Sequence, residues 1–146
     1  MSASEIDYQA LMAVQPAPTR RAQSVAILSD STLQSFQDRG LPRVAELLKA
    51  RKAFGLAKYG TPLYTYNGRD ALCDSIQEVS GLLVYLVQLY EEANNPIGTP
   101  KDYLLLGHLL DLIISTGRVA EGILVVLELR DRPRTKLQDE RLTDTL

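Results

Sequence analysis

Between Val79 and Tyr90 only Ser80 and Gln88 are strongly polar, and the apolar residues show no period-two alternation. Such a stretch reads as a helix that is apolar nearly all round. Tyr103 to Ile114 has the same character, interrupted mainly by His108 and Asp111. A helix of this kind must be covered on every side, and four helices in one small chain do not cover two of them. The pattern therefore predicts an all-α four-helix bundle that oligomerises through its apolar helices, as a homodimer or homotetramer. Short connections make sequential helices antiparallel neighbours.

At 146 residues, with 45% hydrophobic and 23% charged residues, the chain has the globular mixture and the length of one domain. A net charge of -2 with intermixed signs provides no field for a nucleic-acid backbone, so DNA and RNA are not expected partners. The first residues, with Glu5 and Asp7, lack the basic start and apolar middle of a secretory signal. No segment reaches about 18 uninterrupted apolar residues, so a membrane is not an expected partner and a cytoplasmic location is expected. Cys73 is the only cysteine, which excludes an internal disulfide and leaves it as core filler.

Residues 1–24, with Pro16, Pro18, Arg20 and Arg21, read as a flexible N-terminal arm with no core of its own, ordered only against a partner chain. Residues 25–132 read as the helical bundle and 133–146 as a mobile polar tail. A short helix is expected over Ser24–Phe36, capped by Asp30 or Ser31. The next begins at Pro42, carries Val44, Leu47, Leu48 and Phe54 at helical spacing, and ends at Gly60. Asn67 is expected to cap a long helix from about Gly68 to Ala93, with Asp70 bonding back as in a capping box. Thr99 caps the next, with Pro100 in its first position, and that helix runs to Thr116. Gly117 is expected to make a tight corner before a fourth helix from Val119 to Leu129, which Pro133 stops.

The segment from Arg51 to Glu78 concentrates the residues with chemistry. Asp70, Asp74 and Glu78 recur at four-residue steps, forming a stripe opposite Leu72, Ile76, Val79, Leu83 and Leu86. Oxygen ligands of this kind suit magnesium or manganese. A stripe of this kind opposite a core face is most often the solvated side of an amphipathic helix, with acids favoured near a helix N-terminus. Arg51 and Lys58 share a face, and Lys58 with Arg69 brackets the loop, so these cations can meet a phosphate chain or simply pair with carboxylates. Tyr59, Tyr64 and Tyr66 can stack on a base or pack the loop. Asp111 in an apolar helix needs a partner, which Arg118 across the expected corner supplies. His108 shares its face and reads as a packing residue. No Gly-rich phosphate loop, nucleophile elbow or zinc signature is present.

Lys58-Tyr59-Gly60-Thr61-Pro62-Leu63, Asn67-Gly68-Arg69-Asp70, and Asp74 to Glu78 followed by Tyr85-Leu86 resemble a phage-type group related to the MazG-like all-α nucleoside triphosphate pyrophosphohydrolases. The resemblance covers about residues 44–92. It implies a helical bundle assembled as dimers or tetramers, removing pyrophosphate from nucleotides with magnesium held by Glu-x-x-Glu and Glu-x-x-Asp pairs. Glu78 would begin the second pair, but its partner position is Gly81; the first pair is incomplete because Lys49 follows Glu46. Either Asp70 and Asp74 replace the missing ligands, or the hydrolytic site has decayed.

Two functions of different class follow. One is a magnesium- or manganese-dependent pyrophosphohydrolase acting on a (deoxy)nucleoside triphosphate in the cytoplasm, the host's if the chain is phage-encoded. It has metal on Asp70, Asp74 and Glu78, Glu78 as the catalytic carboxylate, and nucleotide held by Arg51, Lys58, Tyr59, Tyr66, Asn67 and Arg69. The other is an inactive nucleotide-binding oligomer, a sponge for a signalling nucleotide. A third, plainer alternative is a helical interaction protein that binds neither nucleotide nor metal.

Overall fold

A computed structural model describes residues 5–132; the expected polar tail 133–146 and the first four residues of the expected arm lie outside them. The described chain is helical: α1 Tyr8–Leu11, α2 Asp30–Asp38, α3 Pro42–Tyr59, α4 Ala71–Asn94 and α5 Tyr103–Asp131. An isolated bridge between Ala26 and Tyr64 is the only β-type pairing among the described residues. None of the described helices is long and apolar enough to cross a membrane. The residues fall into two compact units, one formed by Val14–Asp70 and the other by the described N-terminal residues up to Ala13 together with those from Ala71 onward.

In the Val14–Asp70 unit, α2 packs on α3 around Leu33 and Ala45, both buried. Ser29, one residue before the predicted caps, caps α2 by accepting from the Thr32 N–H. Asp30 instead occupies the first turn, where the helix dipole favours it. Pro42 opens α3 as its spacing predicts, and Gly60 closes it with φ +71°, its N–H donating to the Leu56 carbonyl at 2.8 Å. The following loop is laced to the chain before α2. The Ile27 N–H donates to Leu63 O and the Thr65 N–H to Val25 O, both at 2.9 Å.

In the other unit, α4 and α5 pack along one another, joined by residues 95–102 as an antiparallel hairpin. The inward residues are Ile76 and Leu86 of α4 and Leu106, Leu109 and Leu127 of α5. Leu11 joins Ile76 and Leu127 in a cluster against which Ile6, Leu72, Cys73, Ile123 and Leu124 pack. Gln77 Nε2 donates to the carbonyls of Leu11 and Ala13, each at 2.8 Å. Part of the expected coreless arm thus folds against its own chain: one leucine finds an apolar pocket, and one amide satisfies two carbonyls that the single turn of α1 leaves open.

Several helix boundaries differ from the sequence reading. The helix expected over Ser24–Phe36 spans Asp30–Asp38. The helix expected from Gly68 begins at Ala71. The one expected from Pro100 begins at Tyr103, where Asp102, not Thr99, is the cap and accepts from the Leu105 N–H at 3.0 Å. Most consequentially, Gly117 turns no corner, and α5 runs through it as one helix to Asp131. A lone glycine in a helix interior costs only about 1 kcal/mol relative to alanine, and no proline reinforces it before Pro133. The half-buried Ile113, Ala120 and Leu124 on either side carry the helix across.

Candidate functional site

The basic and aromatic candidates separate into two groups with different surroundings. Arg51, Phe54 and Lys58, spaced three and four residues apart on α3, occupy one face of that helix. The Arg51 Cζ stands 5.7 Å from the Phe54 ring centroid, and Lys58 Nζ stands 5.9 Å from the same ring and 5.1 Å from that of Tyr59. All four residues are exposed; Phe54 retains 55% of its accessible surface. Phe54 is therefore not the core residue its helical spacing suggests. The burial of α3 is carried by Ala45, with Leu47 and Val44 also turned outward. Two cations within cation–π distance of exposed rings present positive charge and a flat apolar face together.

The second group holds the loop. Asn67 Oδ1 accepts from the Arg69 N–H at 3.0 Å, an Asx-type turn two residues long, so Asn67 does not cap α4 as expected. Its carbonyl accepts from the Thr19 N–H at 2.7 Å and from Thr19 Oγ1 at 3.0 Å. A side chain at Gly68, where φ is +84°, would sit 3.4 Å from that hydroxyl. Arg69 donates from its guanidinium to the Pro16 carbonyl at 2.8 Å, and the Asp70 N–H donates to Gln15 Oε1 at 3.1 Å. Asn67 and Arg69 thus have structural duties in this loop. Tyr66, exposed, adopts φ +50°. That left-handed backbone costs a non-glycine residue about 1–2 kcal/mol.

Arg20 lies 4.4 Å from the Tyr64 ring centroid, a closer stack than any on α3. Nothing local in the sequence signals it, because the two residues are far apart along the chain. Phe54 carried a legible signal, standing three residues after Arg51 and four before Lys58.

On α4, Asp74 is half-buried and Glu78, one turn later, is exposed. Gly81, at the position where the resemblance expects a carboxylate, lies inside α4 with open space where a Cβ would project. Glu46 is paired with Lys49 at 3.0 Å, so the residue that stands in place of the missing ligand neutralises the one that remains. Among the described residues no three His, Cys, Asp or Glu side chains form a group that could hold a metal ion. The expected set of Asp70, Asp74 and Glu78 is not such a group. Asp70 ends the Val14–Asp70 unit before the helix begins, rather than forming its first turn.

Asp111 is exposed rather than buried, as are His108 and Arg118. The face of α5 that meets α4 passes through Leu106 and Leu109, and Asp111 points away from it. Because α5 is continuous, Asp111 and Arg118 are about 10 Å apart along its axis, beyond ion-pair reach. Neither a protein-family model, a curated protein nor a solved structure matches this chain.

Proposed function

We propose that this protein binds a nucleotide and assembles as a homodimer or homotetramer, with the phosphates met by Arg51 and Lys58 and the base stacked on Phe54 or Tyr59. The observation that carries this is the exposed ring of Phe54 with two cations within 6 Å of it. Base stacking on such rings contributes about 1–3 kcal/mol per base, and cations beside it add charge-assisted contacts to phosphate. The resemblance to the MazG-like pyrophosphohydrolases points to the same ligand class.

Hydrolysis is the second reading, favoured by Asp74 and Glu78 standing one turn apart on α4. Magnesium is commonly held by one or two carboxylates completed by substrate phosphates. Asp74 and Glu78 are the residues that would hold it. The Glu46–Lys49 pair and Gly81 weigh toward binding without turnover. Incubation with nucleoside triphosphates and magnesium, followed by separation of the products, distinguishes the two. Retained, unconverted nucleotide supports binding alone; monophosphate and pyrophosphate, lost in Glu78→Gln, support hydrolysis. The absence of both binding and turnover refutes the nucleotide function.

A further inference from the structure

The continuous α5 carries a second apolar line that its own chain does not cover. Leu105, Leu112, Val119 and Val126 recur at seven-residue intervals and remain 47%, 51%, 57% and 52% exposed. The seven-residue interval keeps the four side chains on one slowly drifting line of the helix, the spacing of a single core position in a left-handed helix pair. It is separate from the inward line through Leu106, Leu109 and Leu127. On α4, Leu82 and Leu89 repeat at the same interval with Tyr85 between them, all exposed. These seven exposed side chains are the apolar surface offered to a partner, where a stable interface of standard size takes about 800 Å² per partner.

Charge decides the occupant and its direction. Asp111 and Arg118 each precede a seam residue by one position, so both border the seam on the same flank, and neither makes an ion pair among the described residues. The other flank, at Leu109, Thr116 and Ile123, is buried or half-buried within the chain. In an antiparallel pair of identical helices the same flanks lie together. A two-fold axis passing between Leu112 and Val119 then sets each Asp111 opposite Arg118 of the partner subunit. In a parallel pair both residues would face the flank that is already covered.

We propose that α5 pairs antiparallel with α5 of a second copy along Leu105, Leu112, Val119 and Val126, and that Asp111 and Arg118 exchange ion pairs across the two-fold axis. This deepens the assembly part of the proposed function and is independent of nucleotide binding. The surface is self-complementary, as an isologous interface must be.

Sedimentation velocity on the full chain tests it, with circular dichroism confirming that each variant keeps its helices. The parent should be at least dimeric. Asp111→Arg or Arg118→Asp alone should weaken association about tenfold, the double reversal should restore it, and Val119→Lys should abolish it. Ser115→Cys, near the expected axis, in a Cys73→Ser background should form a disulfide-linked dimer on oxidation, which checks the register even if a charged variant misfolds. A monomeric parent would overturn both this pairing and the assembly reading. A parent oligomer unaffected by Val119→Lys and uncrosslinked through Ser115→Cys would overturn the pairing alone. Single reversals that weaken association without rescue by the double would overturn the antiparallel exchange.

Discussion

The Arg51 guanidinium carbon lies 5.7 Å from the centroid of the Phe54 ring, and both side chains face solvent on α3. An exposed ring beside two cations offers a flat apolar face and positive charge side by side, and burying such a ring against a ligand would contribute about 1.5–3 kcal/mol. This pairing is the basis of the binding role proposed above for α3.

Phe54→Ala separates the two roles. Because the ring is exposed, stability to urea should change by no more than about 0.5 kcal/mol. Nucleotide affinity, measured by calorimetry, should fall about tenfold as the stacking surface is lost. A large loss of stability would return Phe54 to the core.

The docking of α1 rests on Leu11 and Gln77. Leu11→Ala removes a buried side chain from the Ile76 and Leu127 cluster and should cost about 2–3 kcal/mol. Gln77→Ala leaves two carbonyls to water and should cost about 1–2 kcal/mol. Hydrogen exchange should show residues 8–11 losing protection in both variants while the centre of α5 keeps its own.

Gly117→Ala tests the continuity of α5. A Cβ there meets open space, and the helix interior favours alanine, so the variant should gain about 0.5–1 kcal/mol in urea unfolding. A tight corner at this position would make the same change destabilising.

Gly81→Asp would complete the Glu-x-x-Asp pair that begins at Glu78. The added side chain meets no neighbour within 4 Å, so the fold should tolerate it. The melting temperature should then rise with magnesium in the variant more than in the parent. Equal magnesium dependence in the two proteins would count against any metal role for Glu78.

Local chemistry made much of this fold legible. Pro42 and Gly60 delimit α3 because each imposes its own backbone geometry, and the apolar run from Val79 to Tyr90 required a helix. Gly117 misled because a single glycine weakens a helix without ending it, and packing on both sides overrides so small a cost. Asn67 and Asp102 show a related ambiguity. Both residue types cap helices and close turns equally well, and only the long-range bonds from Thr19 to Asn67 select the turn. The α3 cations were readable from their spacing. The exposure of Phe54 was not, since helical periodicity names a face without saying which elements cover it. The Arg20–Tyr64 stack joins residues distant in sequence and left no local trace.

Calorimetric titration of the full chain, and of an Arg51→Ala/Lys58→Ala double variant, with a nucleoside triphosphate, its monophosphate and its nucleoside tests the central claim. The parent should bind the triphosphate best and the nucleoside least, and the double variant should lose at least about tenfold for the triphosphate while keeping its melting temperature. A parent that binds none of the three, or a double variant that binds the triphosphate as the parent does, would contradict it.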